Sequence, residues 1–142
     1  MSSTAETIFA ALQGVISAAL TPLGATVERN TSMPDRIGPQ GHVTLREADP
    51  GEPYVTMSPL EYEYEHQIDI EVLVSGTDRD ATFDALKVAI GAAVLANRTL
   101  GGLCIWLEAT PPADLDDLAM HEPVKAAVIV LFVTYKTSNP LG

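Results

Sequence analysis

Three features of the 142-residue sequence predict an α+β domain, a mainly antiparallel sheet with two helices packed on one face. Apolar residues recur at helical spacing near the start and again near residues 83–94. Residues 62–74 alternate strictly between apolar and polar, the period of a strand covered on one side. Residues 124–136 are almost continuously apolar through Val133, which suits a strand in the middle of a sheet.

Each element follows from local chemistry. Ser3 and Glu6 have the spacing of a capping box, in which two side chains satisfy orphan amides at a helix start. Ile8, Leu12, Ile16 and Leu20 then form a stripe widened by Phe9 and Val15, and Thr21-Pro22 with Gly24 ends the helix. A short strand at 26–29 leads into a loop at 30–41 that holds two prolines and two glycines. Two strands, 42–46 and 54–60, flank the turn-rich stretch 48–53, and Pro53 and Pro59 place them at a sheet edge or end them early.

In the alternating run, Tyr62, Tyr64, His66, Ile68, Ile70, Val72 and Val74 share one face. At about 3.3 Å per residue the run spans roughly 40 Å, twice a usual strand, so part of it bends, bulges or projects. Ser75-Gly76-Thr77 breaks it, and Asp78 or Asp80 can cap a second helix reaching about Ala96. Its stripe is Phe83, Leu86, Ile90 and Val94, flanked by Ala85, Ala89 and Ala93, whose small side chains allow close approach to a sheet. Gly101-Gly102 introduces a strand at 103–108, and 109–122 reads as a loop containing Pro111-Pro112. No internal repeat or linker divides the chain, so one domain is expected over residues 1–142.

Composition excludes several classes of partner. Eight Lys and Arg against nineteen Asp and Glu give a net charge of −11, which argues against a groove for nucleic-acid phosphates and against docking on anionic lipid. The longest apolar runs, 88–96 and 126–133, fall short of the ~18 residues of a membrane span. The N-terminus carries Glu6 and no basic stretch before an apolar core, so a cytosolic product is expected rather than a secreted one.

Few groups suggest chemistry. Cys104, the sole cysteine, rules out an internal disulfide; it would serve as a nucleophile only beside His66 or His121. Leu103, Ile105 and Trp106 around it point instead to an inert thiol buried in a strand. His42, His66 and His121 lie in separate segments with no two-ligand spacing, and His66 falls on the apolar strand face as a structural histidine. Asp114, Asp116 and Asp117 lack the glycine and terminal glutamate of a calcium loop. No dinucleotide fingerprint, phosphate loop or nucleophile elbow occurs. Accordingly no catalytic residue, metal ligand or cofactor is expected.

What stands out is where the acids sit. Eight fall in residues 47–71 and five in 108–122, thirteen of the nineteen, and the sequence supplies no Lys or Arg between Glu47 and Glu71 or between Glu108 and Glu122. Glu61, Glu63 and Glu65 recur about 7 Å apart, costing on the order of 0.6 kcal/mol per adjacent pair in water and more if desolvated. With Asp69 and Glu71 they define a face that must meet water, a basic partner or an aqueous channel. A plain solvated face also accounts for them.

Taken over nearly its whole length, the chain resembles the tail-terminator (tail-completion, minor tail) proteins of long-tailed bacteriophages. The resemblance lies in the N-terminal amphipathic helix, the early ERN strand, the loop Asp49-Pro50-Gly51-Glu52-Pro53, the acidic strand at 62–74, FDALKVAIGAAVLANRTLGGLCIWLEA at 83–109 and KAAVIVLFVTYKTSNPLG at 125–142. It implies a homohexameric ring that caps the tail tube, stops its polymerisation and joins the tail to the head, with no bond chemistry. The implied partners are the tail tube protein and a head-completion or neck protein, with DNA passing through unbound and no membrane contact. The implied place is the head–tail junction of the virion, reached from the host cytoplasm. Under this resemblance Glu61, Glu63, Glu65, Asp69 and Glu71 are candidates to line the ring, and the loops bearing Asp35, Arg36, Asp49, Glu52, Asp114, Asp116 and Asp117 are candidates to meet partners. A head-completion protein or a tube subunit is the rival structural reading, and a small enzyme would require a cavity joining Cys104 to a histidine.

Overall fold

A computed structural model describes residues 2–31, 37–38, 40–114 and 124–141, with Asp114 described by its backbone alone. Its elements are α1 (Thr4–Leu20), a 3-10 turn (Thr21–Leu23), β1 (Thr26–Arg29), β2 (His42–Glu47), β3 (Tyr54–Met57) and β4 (Leu60–Ser75). They continue with α2 (Arg79–Ala96), a second 3-10 turn (Leu100–Gly102), β5 (Trp106–Ala109), β6 (Ala113–Asp114) and β7 (Val124–Thr137).

The sheet runs β1-β2-β4-β7-β5, with β3 also paired to β4 and β6 to β7. β4 and β7 are antiparallel along their length, from Tyr62 opposite Thr137 to Ser75 opposite Val124. On the other side of β4, β2 covers Ile68 to Leu73 and β3 covers Leu60 to Glu63. Every pairing is antiparallel except β1 with β2. The length of β4 is therefore resolved by two successive partners on one edge rather than by a bulge.

Both helices lie on one face. Ile8, Phe9, Leu12, Ile16 and Leu20 of α1 and Phe83, Leu86, Ile90 and Val94 of α2 join Tyr64, Ile68, Ile70, Val72 and Val74 of β4 in one buried cluster. β2 adds Val43 and Leu45, and β7 adds Ala127, Ile129, Leu131, Val133 and Tyr135. The alternation of β4 thus resolves as expected: its even-numbered residues face the helices. By length and composition Thr4–Leu23 could cross a membrane, but Ile8, Phe9, Leu12, Ile16 and Leu20 within it are already committed to this core.

Several elements differ locally from expectation. Ser3 Oγ accepts from the Glu6 amide at 3.1 Å, but the Glu6 carboxylate does not complete the capping box; it grips Arg29 instead. The strand expected at 54–60 stops at Met57, because Ser58-Pro59 makes the turn that starts β4 at Leu60. The strand expected at 103–108 starts only at Trp106: the Thr99 carbonyl accepts from both Gly102 and Cys104 amides, which holds 100–104 in a compact turn. Cys104 is therefore buried in a turn rather than in a strand. The loop expected at 109–122 contains the short strand β6, zipped to Ala127 and Val128.

Candidate functional site

The side of the sheet turned away from the helices carries the acids. Register places Glu61, Glu63, Glu65, Gln67, Asp69 and Glu71 of β4 on it, beside Thr134 and Lys136 of β7, Thr44 and Arg46 of β2, and Tyr54 and Thr56 of β3. Phe132, Val130 and Val128 continue the same face along β7, and Trp106 and Glu108 extend it onto β5. An acidic strip on β4 therefore runs next to a partly exposed apolar strip on β7.

Pairing across the sheet changes the reading of those acids. In sequence their stretches contain no cation, but neighbouring strands supply some. Arg46 Nε reaches Glu71 at 2.7 Å and Lys136 Nζ lies 4.0 Å from Glu63. Asp69 accepts from the Gln67 side-chain amide at 3.0 Å. Glu61 and Glu65 have no ion-pair partner among the described residues. The uncompensated charge is thus concentrated toward the β3–β4 end of the strand.

The remaining named positions scatter. Asp49 sits in the exposed loop before β3, where its carboxylate accepts the Gly51 amide at 2.8 Å; Glu52 is exposed nearby. Asp114 pairs through its backbone with Ala127. Asp35, Arg36, Asp116 and Asp117, together with His121, lie outside the described residues.

The groups considered for chemistry have local roles. His66 is buried, with Nδ1 3.0 Å from the Tyr135 hydroxyl, Nε2 3.2 Å from the Ala48 carbonyl and the Phe9 ring edge-on. It ties β4 to β7 and to the loop after β2. Burial pushes the Cys104 thiol up, away from the thiolate a nucleophile needs, and Sγ faces the Arg98 carbonyl at 3.6 Å. Among the described residues no three His, Cys, Asp or Glu side chains converge as metal ligands.

Two features leave no clear signal in the sequence. Arg29 lies across the Phe9 ring at 4.7 Å, holds both oxygens of Glu6 at 2.9 and 2.6 Å, and also contacts Glu47. The bidentate contact holds the Glu6 carboxyl below its usual range, and the same partners push the Arg29 guanidinium up. One cation thereby fastens α1 to β1 and β2. The second feature is the β3–β4 hairpin, where Tyr54 is 70% and Met57 77% exposed, with Val55 and Leu60 also in water. Proline placement marks this as an edge, but no periodicity distinguishes a bare apolar edge from a covered one.

No family model matches the sequence. Nor does any curated protein. Among solved structures the chain is similar to the sheath/tube terminator, in its extended state, of PVC, an extracellular contractile injection system. The TM-score is 0.45 at 11% identity, over 91% of this chain and 56% of that one, so this chain spans little more than half the length of its neighbour.

Proposed function

We propose that the protein is a structural subunit of a phage-type tail, whose copies close into a ring that caps the tail tube, ends its polymerisation and joins it to the head. The observation that carries this reading is the two-sidedness of the sheet. One face is sealed by both helices, while the other presents an acidic strip along the longest strand, with Glu61 and Glu65 unpaired among the described residues. A ring of six copies at −11 each, with that face turned inward, has a lumen that repels DNA and lets it slide. Glu61, Glu63, Glu65, Asp69 and Glu71 line the passage in this arrangement. The segments carrying Asp49 and Glu52, and those carrying Asp35, Arg36, Asp114, Asp116 and Asp117, meet the tube protein on one side and a head-completion or neck protein on the other. The residues act by shape and charge, and no cofactor enters.

Image averaging of the purified protein tests this. Discrete six-fold rings with the open sheet face inward are the expected result. Long tubes of this chain alone would make it a tube subunit, and assemblies with the helices lining the lumen would remove the acidic passage. Replacing Glu61, Glu63 and Glu65 together by Gln should slow DNA ejection from particles; unchanged ejection refutes the lumen assignment.

A further inference from the structure

The two ends of the sheet are unlike. At the β3–β4 end the hairpin projects Val55, Met57 and Leu60 from one face, exposed by 43, 77 and 46%, and Tyr54, 70% exposed, from the other. At the opposite end, roughly 50 Å away along the 16 residues of β4, lies a cavity of about 330 Å³. It is lined by Leu23, Gln40, Ala81, Thr82, Ala85 and Leu86. Gly24 and Gly41, both at positive φ, turn the chain on either side of it, and a Cβ on Gly41 would come within 2.7 Å of Leu86. The small side chains of Ala81 and Ala85 keep the cavity open, and Val88, 61% exposed, continues its apolar rim along α2.

We infer that the hairpin of one copy seats in the α2 cavity of the next, a head-to-tail joint between identical chains. This rests on the ring reading for its closure, though not for the joint itself. Charge selects the second copy's cavity over its hairpin. A two-fold hairpin pairing sets Glu52, Glu61, Glu63 and Glu65 against their own copies, with Lys136 alone among the described residues pairing one of them on each side. The cavity end is balanced: Lys125 pairs Asp80, Lys87 pairs Asp84, and Arg79 stands beside Asp78. It also holds the positive, N-terminal end of α2, whose Asp78 side chain makes no capping bond.

Area sets the strength. On the face shared by Val55, Met57 and Leu60, at about 200 Å² per large side chain, the exposed fractions amount to roughly 330 Å², or about 660 Å² for both partners. Stable dimers bury about 1,200–2,000 Å². A single joint is therefore weak, whereas a closed ring gives every copy two joints at once, and a heterologous contact closes or propagates according to its rotation.

Thiol trapping in the full-length protein tests the joint. Met57→Cys and Ala85→Cys are made singly and together, and each is treated with a short bis-maleimide; wild type, whose only thiol is the buried Cys104, is the blank. The double variant should give a ladder of covalent oligomers, the mixed single variants should stop at dimers, and each single variant alone should stay monomeric. Leu60→Cys, on the same face as Met57, combined with Ala85→Cys should give the same ladder, and adding Met57→Glu to that pair should abolish it. A ladder that survives Met57→Glu would come from random collision and overturn the inference. Dimers from Met57→Cys alone would show hairpin-to-hairpin pairing and overturn it too. Rings seen by microscopy without a ladder would overturn the joint and leave the ring reading intact. A ladder that grows into open filaments would support the joint and refute ring closure. Neither rings nor ladder up to the solubility limit would refute both.

Discussion

At the residue scale, Arg29 is the side chain on which most depends locally. Its guanidinium is largely shielded and bridges Glu6 and Glu47 while covering Phe9. Arg29→Ala leaves two carboxylates facing each other without their shared cation, so a loss of about 1–3 kcal/mol is expected in urea unfolding. Arg29→Lys should restore only part of it, since an ammonium cannot make the bidentate contact. Lys87→Ala, which breaks an exposed i,i+3 pair, should stay within about 0.5 kcal/mol. A ratio near one between the Arg29 and Lys87 variants would contradict the bridging role. Little of this is legible in sequence: Glu6 is recognisable as a cap partner, but its actual partner lies 23 residues away and comes near only when α1 packs beside β1.

At the scale of elements, β4 decides the structure. Ile70 and Leu131 are fully buried at the centre of the β4–β7 ladder, and Ile70→Ala or Leu131→Ala should each cost about 2–5 kcal/mol by leaving a cavity under both helices. Met57→Ala, on the exposed hairpin, should change the urea midpoint little. The opposite face has a different signature. Changing Glu61 and Glu65 together to Gln should raise stability by about 1 kcal/mol at low salt, since each repels Glu63 by roughly 0.6 kcal/mol and the Glu63–Lys136 pair is kept. Added salt should stabilise the wild type more than this variant, and an equal salt response would show that the row is already neutralised. The alternation of β4, the apolar run of β7 and both helix stripes are readable because each follows one period against one buried face. The start of β5 and the strand β6 are not, because neighbouring carbonyls and register on β7 fix them, and neither leaves a periodic trace.

At the scale of the whole molecule, charge sets how stability depends on pH. Hydrogen bonds from Arg29 and Arg98 hold the Glu6 and Glu108 carboxyls below their usual range. In the unfolded chain these acids bind protons first, so their contribution is complete above about pH 4.5 and is lost as pH falls through the lower folded values. Burial pushes the Tyr135 hydroxyl up, so a second loss is expected above about pH 10, where only the unfolded chain ionises freely. A stability profile by urea titration should therefore be flat across the neutral range and fall at both ends. Acidity that in composition only excluded phosphate-binding surfaces becomes, once the strands are paired, a strip along one face whose members without an ion pair among the described residues lie toward one end. Tube length tests the proposed role most directly. Tail tube protein is polymerised with and without this chain and the tubes are measured by electron microscopy. Addition at the start should give short tubes, each bearing one ring at an end, with length falling as the chain is increased. Tubes of unchanged length with bare ends, or with this chain incorporated along their walls, would contradict it.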